Sequence, residues 1–216
     1  NTYSLDFDGS NDYVDCGDIS ELNSATDLTI SGWFKQITSL NTKRVLFSVG
    51  ASIDESIAIY TWSDGNLYVD FRSVTASTEG YGYFDYSTVV ILNEWFHLAV
   101  VFDGSGADNA AKCKLYIDGS AITLTFGGTM PTVTSATGTD CNIGESQAHN
   151  IPTLLGSADE VALFDEVLDS SKISTIYNSG VPTDLSSESG LFAYWRMEAG
   201  TGTSVGSNLT EDRHSL

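Results

Sequence analysis

Basic residues are scarce in this 216-residue chain: nine Lys and Arg stand against 29 Asp and Glu, a formal charge of −20. A nucleic-acid partner requires a basic face, so that class of function is excluded. Cysteine is equally sparse. Cys16, Cys113 and Cys141 are too few for a disulfide scaffold, and their odd number leaves at least one thiol unpaired. No CxxC or Cys/His spacing supports zinc, and His97, His149 and His214 are scattered. No apolar run reaches the roughly 20 residues of a membrane-spanning helix, so no span is expected. There is no G-x-S-x-G elbow, H-E-x-x-H pair or phosphate loop. The chain starts at Asn1 rather than Met and shows no leader pattern, as expected of a piece excised from something longer.

What is present is alternation. Leu28–Phe34, Arg44–Val49, Ser56–Trp62, Asn66–Ser73, Trp95–Phe102, Lys112–Ile117, Ala121–Phe126, Cys141–Gly144, Glu160–Phe164 and Leu191–Met197 read as strands, rich in β-branched and aromatic residues. Asp64-Gly65 and Asp118-Gly119 mark hairpin turns, because that dipeptide tolerates positive φ. A single short helix is expected over Asp169–Asn178, with Asp169 or Ser170 as N-cap and Gly180 past its end. Many strands, 20 glycines and only three prolines predict an antiparallel β-sandwich. Two distant segments, Phe7–Gly17 and Gly156–Ser171, set carboxylates beside a glycine and an apolar run. They predict strand ends rich in oxygen ligands, the chemistry a hard cation such as Ca2+ needs. If they meet, the two ends of the chain close one sheet.

The blocks FDGSNDYV, LTISGWFK, NEWFHLAVVFDGSG, KLYIDGS, CNIGES and GSADEVALFDEVLDSSKI occur in the order of a laminin-G-like domain of the concanavalin A-like lectin/glucanase superfamily, which the chain resembles from Asn1 to about Val205. The resemblance implies an all-β, two-sheet antiparallel jelly roll over residues 1–205, with a loop at 178–188, a terminal strand at 189–205 and a tail at 206–216. It implies core roles for Trp33 and Trp95. It also implies a structural Ca2+ between the terminal strands, with Asp8 and Asp159 at the matching positions and Asn11 contributing from the adjoining turn. Glycoside hydrolases of the superfamily carry paired carboxylates, for instance E-x-D-x-x-E, and no such arrangement occurs here.

The second candidate surface comes from the residues themselves. Ala76–Tyr86 packs four aromatics and two glycines into what reads as a loop. Tyrosine offers a flat apolar face and a polar tip, which suits sugar rings. Tyr60, Trp62, Tyr81, Tyr83 and Tyr86 are therefore the expected ligand-binding residues, with Tyr68, Asp70 and Arg72 beside them. Gln147, His149 and Asn150 read as a separate, solvated loop. The expected function is a non-catalytic module that binds carbohydrate or a surface protein and is stabilised by Ca2+, in an extracellular, cell-surface or virion setting. The alternatives are a structural domain of a surface or virion particle that self-associates, and, more remotely, a glycan-active hydrolase or lyase.

Overall fold

A computed structural model of the chain describes residues 3–73, 78–134, 140–146 and 148–198. The expected terminal strand falls outside these from residue 199 onward, as do the tail, Ala76 and Gln147. Fourteen strands are described: β1 (Leu5–Asp8), β2 (Val14–Gly17), β3 (Asp27–Gln36), β4 (Arg44–Ser52), β5 (Glu55–Thr61), β6 (Asn66–Ser73), β7 (Thr78–Asp85), β8 (Phe96–Asp103), β9 (Cys113–Ile117), β10 (Ser120–Ile122), β11 (Thr125–Gly128), β12 (Cys141–Ile143), β13 (Leu155–Phe164) and β14 (Leu191–Trp195). One helical turn, α1 (Asn109–Lys112), precedes β9, and the expected helix is α2 (Ser170–Tyr177).

The strands form two seven-stranded antiparallel sheets. The first runs β1-β13-β3-β8-β9-β10, with β14 also on β13, and the second runs β11-β7-β6-β5-β4-β12-β2. Alternation sends one set of side chains from each sheet into the space between them. Phe71 of β6 stacks on Phe102 of β8 across that space, with ring centroids 4.7 Å apart. Phe34, Phe47, Phe96 and Trp195 are fully buried with them. Each such ring contributes about 2–3 kcal/mol by leaving water. The three cysteines are buried with no disulfide among them, and burial pushes the Cys113 thiol up to about 12, far from a reactive thiolate.

The outer faces of the sheets differ. That of the first sheet is apolar and covered: Ala99, Val101, Tyr116, Ala162 and Phe164 pack against Ile173 and Ile176 of α2 and Leu185 beyond it. The helix starts where the sequence predicts, with the Asp169 carboxylate accepting from the Lys172 N–H at 2.8 Å. It ends at Asn178, in the left-handed conformation at φ 46°. The outer face of the second sheet carries tyrosines and charges, and Ile151 packs on it against Val45, Ala58 and Tyr60 of β4 and β5.

Candidate functional site

The two ends of the described chain share one edge of β13. β1 pairs with its first half, Leu5 opposite Ala158 and Asp8 opposite Leu155, while β14 pairs with its second half, Val161 opposite Trp195. Asp159 and Glu160 fall in the gap between them, where the pairing of β13 with β3 slips by a bulge. Glu160 takes the left-handed conformation there, at φ 49°, which costs a non-glycine residue about 1 kcal/mol. The slip turns its carboxylate toward Asp159 and Glu198, and ligand oxygens of all three lie within 4.8 Å of one another. The Tyr3 N–H donates to Glu198 Oε1 at 3.1 Å, so the beginning and end of the described chain meet at this cluster. Asp159 and Glu160 are buried, and the Glu160 carboxyl is pushed up to about 9, by burial first and then by the charge of Asp159.

The junction of chain ends is where the sequence places it, and Asp159 belongs to it, but Asp8 and Asn11 do not. Asp8 is exposed and stands four residues along β13 from Asp159, about 13 Å at strand spacing. Its carboxylate instead accepts from the Ser10 N–H at 2.8 Å, an Asx turn, and Asn11 is exposed in the same turn. A side-chain bond, Ser157 Oγ donating to Asp6 Oδ1 at 2.6 Å, adds to the ladder between the first strand and β13. Glu198 lies outside the acidic segments read from sequence, and only the folded arrangement of β14 brings it to Asp159.

Beside the acidic cluster opens a cavity of 290 Å³ lined by Tyr3, Trp33, Trp95, Asp159 and Pro182. Trp33 is buried, as expected, but against α2 rather than between the sheets: it stacks on Tyr177 at 5.8 Å. Trp95 is not a core residue. It is 38% exposed, one position before β8 begins, with the Lys35 ammonium 5.3 Å from its ring centroid.

The aromatic candidates meet on the outer face of the second sheet. The segment read as a loop is strand β7, with Tyr81 and Tyr83 outward and Gly80, Gly82 and Phe84 inward. Tyr60, Tyr68 and Tyr83 are register partners on β5, β6 and β7. Their rings stack in a row, with centroids 5.4 and 5.2 Å apart and interplanar angles of 5° and 20°. Stacked in this way, these rings spend their faces on one another. Tyr81 is different. Its partner across the ladder is Gly127 on β11, and a β-carbon there would sit 2.3 Å from its ring. The ring therefore lies on the glycine backbone, meeting Tyr68 and Tyr83 at tilts of 46° and 34° rather than in parallel. Trp62 packs beside Tyr60 and carries the Lys43 ammonium 3.6 Å from its ring centroid.

Tyr86 does not belong to this surface. The turn after β7 swings it inward, where it is fully buried and meets Phe96 edge-on at 5.6 Å. His149 does belong, although its loop reads as solvated. Its side chain is 5% exposed, its ring lies 5.8 Å from that of Tyr60, and its Nε2 is 3.6 Å from Asp70 Oδ2. No local pattern marks it, because the loop's position depends on β12 and β4. Polar groups fill the rest of the face. The buried Asp70 carboxylate is held by Arg72 Nε at 3.1 Å, and Arg72 Nη2 reaches Glu79 at 3.0 Å. The Tyr68 hydroxyl donates to Asp64 at 2.8 Å, and burial together with that carboxylate pushes it up to about 12.

Comparison with known proteins agrees with this architecture. Among solved structures, the chain is similar to the NanB sialidase of Streptococcus pneumoniae, at 19% identity and TM-score 0.62 over 81% of this chain and 27% of that one. It therefore spans about a quarter of that enzyme's length. It is similar also to the CBM40 of the Ruminococcus gnavus IT-sialidase bound to α2,3-sialyllactose, at 14% identity and TM-score 0.60 over 82% and 97% of the two chains. A third is domain 4 of AbnA, an extracellular arabinanase from Geobacillus stearothermophilus, in complex with arabinotriose, at 20% identity and TM-score 0.58 over 81% and 76%. At such identities the likeness is one of fold. No curated sequence matches significantly. A family model, however, matches residues 8–174, most of the chain, and on that match the chain belongs to the concanavalin A-like lectin/glucanases superfamily.

Proposed function

We propose that the chain is a non-catalytic carbohydrate-binding module whose ligand lies on the outer face of the second sheet. The observation that carries the reading is the ring of Tyr81, laid on Gly127 beside the Tyr60, Tyr68 and Tyr83 row with a face to offer. A sugar ring packs its C–H face on such an aromatic, and its hydroxyls find Glu79, the tyrosine hydroxyls and the Arg72 guanidinium within the same patch. The CBM40 and AbnA structures, which hold a sialylated and an arabinose oligosaccharide, support the reading by fold. AbnA is an extracellular enzyme, in keeping with an extracellular setting. On a glycan array the wild-type chain is expected to bind, and Tyr81→Ala to lose at least about tenfold in affinity with its melting temperature unchanged. Full retention of binding by that variant would count against the reading.

The acidic cluster has a separate, structural role in this proposal. Calcium takes about six to eight oxygens at about 2.4 Å, so carboxylates within 4.8 Å of one another can serve one ion. Asp159, Glu160 and Glu198 fit that requirement, whereas Asp8 and Asn11 do not reach it. The ion would supply the positive charge that lets Glu160 ionise at neutral pH, and would fasten β13 to both ends of the described chain. A hydrolase reading is disfavoured by the same geometry. Glycosidase carboxylates flank a bond, and here the group is closed on itself, with Glu160 only 2% exposed. Adding Ca2+ after EDTA treatment is expected to stabilise the fold by about 2–4 kcal/mol at saturation, with no gain in Glu160→Gln. A melt indifferent to both reagents would remove the ion from the proposal.

A further inference from the structure

We propose that the saccharide taken by the tyrosine face is uncharged, and that sialylated, uronic and sulfated glycans are excluded; this rests on the carbohydrate reading above and narrows it. Two cations stand on or beside this face among the described residues, and neither stands free of a neighbour. Arg72 is clamped between Asp70, at 3.1 Å from Nε, and Glu79, at 3.0 Å from Nη2. Lys43 lies over the Trp62 ring at 3.6 Å. A carboxylate or sulfate brought to Arg72 would meet one guanidinium charge already set against two carboxylates, those of Asp70 and Glu79. The Asp70 carboxylate is only 1% exposed, with His149 Nε2 3.6 Å away on its other side. Stripping a buried charge of its partner is among the costliest local changes a fold can undergo, so the clamp holds against a competing anion.

The rest of the face repels anions as well. Asp64 sits at the Tyr68 hydroxyl, Glu79 is half exposed beside Arg72, and Asp15 points outward from the edge strand β2. Around them the whole chain carries −20. Like charges set against a ligand are how a surface rejects a wrong partner that shares the right shape. These same carboxylates are good acceptors for sugar hydroxyls, which donate without bringing charge. In this the face departs from what a sialic acid requires, although the CBM40 bound to sialyllactose shares the fold.

The test uses the whole chain on an array printed in matched pairs, each acidic glycan beside its desialylated, reduced or desulfated counterpart. The expected result is that every pair giving signal favours its neutral member by at least about threefold, and that sialidase treatment of a printed sialoside raises its signal. Signal confined to the acidic members, and lost on sialidase treatment, would overturn the proposal while leaving carbohydrate binding intact. An array blank in both members of every pair would overturn the carbohydrate reading and this one together.

Discussion

At the scale of single residues, side chains alike in sequence are divided by their environment. Tyr81 and Tyr86 sit five positions apart in one aromatic-rich segment, yet one lies on a glycine backbone at the surface and the other is sealed between the sheets. Sequence shows the cluster of rings but not the inward turn after β7, because burial of Tyr86 depends on Phe96 from a strand ten residues later. His97 shows the same dependence on context. It is fully buried, its Nε2 is 2.9 Å from Ser31 Oγ, and burial holds it down to about 4, against about 6.5 in water. A histidine that stays neutral in the fold but takes a proton when unfolded makes stability fall as pH drops from about 6.5 to about 4, and is without further effect below. Chemical denaturation at pH 7 and pH 4.5 should therefore show a loss, on the order of 3 kcal/mol from this group, that is absent in His97→Gln. An equal pH dependence in both chains would contradict that assignment.

Among the elements, most strands and the one true helix are legible before folding, since period-two alternation and the Asp169 cap are local signals. Strand β7 is the exception that matters for function. Gly80 and Gly82 lower strand propensity, and four aromatics with two glycines resemble a loop. The glycines serve the strand instead: a β-carbon on Gly80 would come within 2.4 Å of the Met130 backbone, and Gly127 across the ladder makes room for the Tyr81 ring. The alternation Gly80-Tyr81-Gly82-Tyr83 is the available signal, with small and large side chains on opposite faces. Valine at position 127 would suit a strand but displace Tyr81. Gly127→Val is thus expected to keep its unfolding free energy within about 1 kcal/mol of wild type while losing glycan affinity about as far as Tyr81→Ala does. Unchanged binding in a folded Gly127→Val chain would show that the ring's placement on the glycine is unimportant.

At the scale of the molecule, an acidic group at the edge of the first sheet and an aromatic face on the second are set apart, and the central claim is that they divide the work. At the edge of the first sheet, Asp159, Glu160 and Glu198 fasten the beginning and end of the described chain to β13. Over the second sheet, the tyrosine face is the ligand surface proposed above. The sequence marks Phe7–Gly17 and Gly156–Ser171 as acidic segments whose meeting would close one sheet. It does not show the register, which sets Asp8 opposite Leu155 and hands its expected part to Glu198. The most direct test is a backbone amide NMR titration of the labelled chain with a neutral oligosaccharide identified on the array. The account predicts that shifts concentrate on Tyr60, Tyr68, Tyr81 and Tyr83 and spare Trp33, Trp95 and Asp159. Shifts centred instead on the cavity between Trp33 and Trp95 would contradict it.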